Sequence, residues 1–235
     1  MTGAPSPEQV RARIEAIRAA RGGYVLPHHG AMAAALPELH AAYEAMYRAL
    51  TIDPRHMTAH AREVVWLAIL SACEEPVGTH HLHRFMETGG TEAEAAAVFR
   101  LAAWARGAAT YATLAAHWAE RLPGLSLEAE YAAGARALLA GTDLDEATAR
   151  LALIGAQTAR DDAWGLAREI EAAYAAGAPE PCIAEAMSLA IWPRGVNPFV
   201  RATEVWLGLM RTGRVAPSPA FRAWAEAEGQ GAFGG

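Results

Sequence analysis

The sequence predicts an all-α fold, and three observations carry that expectation. Apolar residues recur at helical spacing almost throughout, with no convincing alternating strand. Apolar residues make up 53% of the 235 positions, a composition for a folded chain with a sizeable core. Glycine, proline and capping residues fall where such helices would start and stop.

Taken in order, a first helix is expected over residues 7–20, stopped at Gly22-Gly23, with Thr2 to Ser6 as a frayed arm before it. A second is expected over 37–50. Before it, the segment "LPHHG", with His28 and His29, reads as a polar turn or as a strap over a pocket mouth. A third, over 58–72, carries the apolar stripe Val64, Leu67, Ala68 and Ser71. A short helix over 79–88 ends at Gly89-Gly90. Thr91 to Glu94 reads as a capping box in which the Thr and Glu side chains satisfy reciprocal backbone amides, and its helix runs to about residue 105. Another helix covers 108–121, Pro123-Gly124 breaks the chain, and more helices follow to Arg211. The tail after Gly213 is expected to be peripheral.

Residues 61–107 can be laid on 149–195 by an ungapped slide of 88 positions. Gly89 then falls on Gly177, Glu92 on Glu180, and "LAAWARG" on "LAIWPRG". Alanine matches mean little in this chain, but matched Trp, Arg and Gly point to an internal duplication. All nine histidines lie between His28 and His117. His80, His81 and His83 fall on Arg168, Glu169 and Glu171, so one copy is expected to carry chemistry and the other to support it.

Arg62-Glu63 opens an apolar helix, His81 stands eight residues before Gly89, and Thr91 and Glu94 open the next helix. In these features residues 61–105 resemble the core of the carboxymuconolactone decarboxylase and alkylhydroperoxidase D (AhpD-like) superfamily. The resemblance covers about 24–122, with a weaker copy at 125–212. It implies an AhpD-like helical fold duplicated within one chain: an arm and helix over 1–23, one repeat over 24–122, a degenerate supporting repeat over 123–212, and a tail over 213–235. The family pattern is Cys-x-x-Cys-x-x-x-His. Counting back from His81, its cysteine positions fall on Glu74 and Val77. The spacing from Glu63 to His81 is also about one residue shorter than the family's. A dithiol peroxidase cycle cannot close on Cys73 alone, whereas the decarboxylase branch implies acid–base chemistry.

The expected function is therefore a small-molecule lyase, decarboxylase or isomerase. His81 would be the principal acid/base, since imidazole exchanges protons near neutral pH. Glu63 would orient it, and Glu74 or His80 would be a second proton-transfer group, with Glu75 the rival of Glu74 if the register slips. Two alternatives are a peroxidase-related protein using Cys73 with an external thiol, and a non-catalytic binding or assembly protein. His80 and His83, three apart, could hold a metal with a glutamate, but no His-Glu-x-x-His or cysteine-rich zinc pattern is present, and neither a metal nor an organic cofactor is expected. All twenty basic residues are Arg, which excludes lysine Schiff-base chemistry. The net charge of −6 and the lack of a basic stripe argue against nucleic acid as a partner. No apolar run reaches a membrane span, and no signal-like segment stands at the start, so a cytoplasmic location is expected. The expected partners are a small lactone or carboxylic acid and further copies of the chain. A trimer is favoured and a dimer is the alternative, with Trp118, Phe199 and Trp206 offered for burial between subunits. Trp66, Trp104 and Trp192 read as core.

Overall fold

The computed structural model describes residues 5–20, 23 and 25–231. It is 77% helical and contains no strand among the described residues. Gly22, residues 2–4 of the expected arm and the last four residues of the tail lie outside the described residues. The chain divides into two compact units, Met1–Asp53 and Pro54–Gly235. Among the described residues no helix is long and apolar enough to cross a membrane.

The N-terminal unit holds α1 (Pro7–Ala20), α2 (Pro27–Ala35) and α3 (Pro37–Tyr47), closed by a π-helical turn over Arg48–Ile52. The helix α2 departs from the expected turn. Pro27 occupies its first turn, where a missing N–H costs nothing, and alanines continue it. Leu36 alone joins α2 to α3, because Pro37 again starts a helix. The Arg13 guanidinium of α1 donates to the carbonyl of Ala33 on α2, 3.0 Å away.

The second unit is centred on α4 (Ala59–Cys73) and α9 (Glu146–Arg160), which pack against each other. Around α4 lie α5 (His80–Glu87), α6 (Glu92–Ala108) and α11 (Glu180–Leu189). Around α9 lie α6, α10 (Ala163–Ala175), α11, α12 (Ile191–Arg194) and α13 (Val196–Arg211). The helices α7 (Thr110–His117) and α8 (Leu127–Leu139) border α6, and α14 (Pro219–Glu226) closes on α13. Buried residues run round most of α4 and α9, as central helices require. Their close approach depends on Gly155: a Cβ there would stand 2.8 Å from Val65 Cγ1 and 3.1 Å from Ile69 Cδ1.

The helices α4 and α9 match in length and in both ends. Each has 15 residues. Thr58 and Asp145 cap their N-termini by accepting from the third amide onward, and Glu74 and Asp161 end them in left-handed conformation at φ 55° and 61°. These caps stand 87 positions apart, whereas the left-handed glycines Gly89 and Gly177 stand 88 apart. A single ungapped slide therefore does not superpose both features: the caps of α4 and α9 match at 87 positions and the glycines at 88. By the caps, Glu63 corresponds to Arg150, and by the glycines, His81 corresponds to Glu169.

Three local expectations are corrected. The Thr91 hydroxyl does accept from the Glu94 amide, at 3.1 Å, but Glu94 Oε1 bonds His60 Nε2 at 2.7 Å, so the capping box is only half made. His60 on α4 also bonds Thr88 Oγ1, tying α4 to the turn before α6. The tail is not peripheral as far as it is described. Val215 and Ala225 are buried, Phe221 and Trp224 pack on Trp206, and the Glu180 carboxylate accepts from the Ser218 amide at 3.1 Å. Trp206 is thus 1% exposed and has no surface to offer another subunit, whereas Trp118 is 57% exposed. Of the three tryptophans read as core, Trp66 is fully buried, while Trp104 and Trp192 are partly buried.

Candidate active site

Glu63 and His81 meet in the interior of the second unit. Glu63 lies in the second turn of α4, which Thr58 starts. After the left-handed stop at Glu74, a 3₁₀ turn over Pro76–Thr79 reverses the chain and begins α5. Gly78 allows that turn to close, because a Cβ there would run into the Leu70 side chain of α4. On α5, His81 and Phe85 are one turn apart and both buried, while Leu82 and His83 face outward.

The geometry of the pair is specific. His81 Nδ1 lies 2.7 Å from Glu63 Oε2, and the two residues are 1% and 2% exposed. Trp66, one turn along from Glu63, stacks on the imidazole with ring centroids 4.3 Å apart, and His80 lies 4.3 Å from it on another side. Burial pushes the His81 pKa down from its ordinary value, and the bond to Glu63 and its charge only partly oppose that. The neutral ring then donates Nδ1–H to the carboxylate and keeps its lone pair on Nε2.

His81 borders a cavity of about 190 Å³. Its apolar wall comes from Trp66, Leu70, Val77, Trp192 and Pro193, and its polar groups are His80, His81 and Glu75. The volume is below the roughly 300 Å³ at which pockets for drug-sized ligands begin.

The other sequence-derived candidates divide around this cavity. His80 lines it and is half-buried. Glu74 does not: as the left-handed cap of α4 it is 72% exposed, pairs with Arg106, and lines the adjoining open groove, which shares Leu70, Glu75 and Gly78 with the cavity. Glu75 takes the position expected of Glu74 at the His81 cavity, and its Oε1 also accepts from the Val77 amide at 3.0 Å. Cys73 is not among the lining residues. Its thiol faces the Ala159 carbonyl, and burial pushes its pKa up despite Arg194 and Arg160 nearby, which keeps it a poor nucleophile. Among the described residues, no third ligating group joins His80 and His83.

Trp192 and Pro193 were not recognised in the sequence as cavity residues. They reach His81 from more than a hundred positions away through α12, and only their place in the "LAIWPRG" segment marked them.

On the corresponding helices, Arg150 Nη1 donates to Glu169 Oε2 at 3.0 Å and Nη2 to Glu146 Oε1 at 3.2 Å. Glu169 is fully buried; desolvation pushes its pKa up, and Arg150 opposes that. Tyr131 and Gln157 bond beside it at 3.2 Å, and burial and the nearby Glu169 push the Tyr131 pKa far up.

No family model, curated protein or solved structure matches this chain.

Proposed function

We propose that this protein is a small-molecule isomerase or lyase, related to carboxymuconolactone decarboxylase, in which His81 moves a proton on carbon and Glu63 holds it in position. The observation that carries this reading is the buried 2.7 Å Glu63–His81 bond beside a small, mostly apolar cavity. With Nδ1 committed to Glu63, Nε2 is the nitrogen left to take a proton from a bound carbon acid. The Glu63 carboxylate offsets the charge that appears on the imidazole as it does so, as an orienting acid does in other His-based sites. Trp66 above the ring fixes its plane. At the cavity His80 is a side chain that can donate to the oxygen of a lactone or carboxylate, whereas the Glu75 carboxylate only accepts.

An isomerisation fits the resting state directly: Nε2 removes a proton next to a carbonyl, and the imidazolium returns it elsewhere on the resulting enolate. A decarboxylation needs the reverse order. The C–CO₂⁻ bond breaks, its electron pair remains as an enolate, and protonated His81 delivers the proton. The lowered His81 pKa makes that form scarcer at neutral pH, which favours the isomerase branch.

Assembly as a trimer, or else a dimer, belongs to the same reading. Exposed Trp118, Val196 and Val200 are the apolar side chains it would cover. Light scattering on the 24.9 kDa chain tests it, and a mass of one chain at micromolar concentration would remove it.

The chemical test needs no prior substrate. A panel of small lactones and carboxylic acids is incubated with the protein in D₂O, and deuterium incorporation at carbon is followed by NMR. Exchange should occur for some members and disappear in His81→Gln. Absence of exchange across the panel, or exchange unchanged in that variant, overturns the reading.

A further inference from the structure

We propose that His29, His40 and Glu44 form a binding site for a divalent transition-metal ion, zinc by preference, inside the N-terminal unit. Three potential ligand atoms converge there: His29 Nδ1 from α2, and His40 Nε2 and Glu44 Oε1 from successive turns of α3. Their separations are 3.0 Å between the two nitrogens and 3.5 Å from each nitrogen to the carboxylate oxygen. A tetrahedral zinc site with bonds of about 2.0–2.1 Å has ligand–ligand edges of about 3.3 Å. One observed edge, 3.0 Å, is shorter than that length and two, at 3.5 Å, are longer, so an ion above the centre of the triangle would lie within bonding distance of all three atoms.

The donor set selects the ion. Two imidazoles and one carboxylate suit zinc and its first-row neighbours, whereas calcium and magnesium take oxygen ligands and copper(I) takes sulfur. Without an ion, a proton can lie between the two nitrogens at 3.0 Å.

The scaffold around the ligands is stiff. His40 and Glu44 are four apart on one face of α3, and the single-residue corner at Leu36 fixes α2 against it. His28 bonds Tyr43 at 2.9 Å, and both rings lie against His29, with centroids 4.1 and 5.4 Å away. These partners orient the ligating ring, as outer groups do around known metal sites. Burial is graded: His29 is 1% exposed, while the side chains of His40 and Glu44 are 15% and 38% exposed, so an ion can enter from the α3 side. This site does not depend on the proposed chemistry at His81.

The test uses the full chain, stripped with a chelator and dialysed, then titrated with Zn²⁺ against a chromophoric competitor. One equivalent should bind. Co²⁺ should give the visible spectrum of a tetrahedral site, and zinc-edge absorption should show two imidazoles in the first shell. Glu44→Gln and His40→Asn should each weaken binding by more than the roughly 10–100-fold that loss of an outer partner costs. His83→Ala, at an exposed histidine, should bind as the parent does, and so should His81→Gln, which separates this site from the proton-transfer reading. Lack of stoichiometric binding by the parent chain overturns the proposal, as does binding unchanged in Glu44→Gln and His40→Asn, or a first shell with other than two imidazoles. Circular dichroism checks that the variants fold. Should His40→Asn not fold, the partly exposed Glu44→Gln and the absorption data on the parent still decide.

Discussion

Glu63–His81 and Arg150–Glu169 occupy corresponding places on α4–α5 and α9–α10, and they hold opposite chemistry. Each pairs an ionisable residue early in a central helix with one on the next helix, at 2.7 and 3.0 Å, out of contact with water. In the first pair the base is an imidazole, which gains and loses a proton near neutral pH, and a cavity opens beside it. In the second the base is a guanidinium, which does not deprotonate in a protein. Glu146 and Glu169 both grip it, and Tyr131 and Gln157 pack alongside. With the signs exchanged, the same two positions would serve, on the proposed reading, as a proton-transfer centre where the cation can lose its proton, and they form a lock where it cannot.

The largest expected effect breaks the lock. Arg150→Ala should cost about 3–5 kcal/mol of folding stability, because Glu169 remains buried without its counter-charge. Urea denaturation measures it. The double change Arg150→Met with Glu169→Leu should recover most of the loss, since burying a well-packed apolar pair avoids desolvating two ions. A single-variant cost under about 1 kcal/mol would mean that the pair is not a lock.

The first pair should respond in rate rather than in stability. His81→Gln keeps a donor facing Glu63 and should lower turnover, read as carbon exchange, by about 10²- to 10⁴-fold, with stability changed by less than about 1 kcal/mol. His81→Ala is a different experiment: it leaves the Glu63 carboxylate buried without its donor and should cost about 1–3 kcal/mol as well. Equal destabilisation by Gln and Ala would make the pair structural and erase the contrast with Arg150–Glu169.

A smaller effect appears in the pH dependence. The folded-state pKa of His81 is depressed below 6.5, so the unfolded chain binds this proton more readily. Stability therefore rises with pH between the folded value and 6.5, and is lost as pH falls through that window. Denaturation midpoints against pH should show this slope in the parent and a reduced slope in His81→Gln. Arg150 contributes no slope there, because it stays charged throughout.

The smallest effect compares the two left-handed caps. Glu74 pays a backbone cost that glycine would avoid, whereas Asp161 belongs to a residue type that tolerates φ near 60° and also pairs with Arg201 at 2.6 Å. Glu74→Gly should gain up to about 1 kcal/mol and leave exchange intact. Asp161→Gly should gain less or lose. Loss of exchange in Glu74→Gly would restore Glu74 to the candidate chemistry despite its distance from the His81 cavity.

Helix positions were legible in the sequence because their causes are local. Thr58 and Thr91 cap the helices that follow them, and Gly89 ends α5, each through groups within a few residues. The helix α2 has a local cause too, in Pro27 followed by alanines, but in the sequence the paired histidines there read as a polar turn or a strap. Glu63 and His81 were named together from the resemblance and do meet. What only tertiary structure decided is which side chains share a space. The turn of α4 at Glu74 leaves that carboxylate in the outer groove alone, whereas Glu75 borders both that groove and the His81 cavity, so a one-residue slip there changes which carboxylate reaches the cavity. Trp192 and Pro193 complete the cavity, and Trp206 disappears under the tail, through packing between segments distant in sequence. His29, His40 and Glu44 converge only once α2 folds back on α3. Caps and turns are written in neighbouring residues, while a shared site depends on the relative placement of whole helices, which no local stretch encodes.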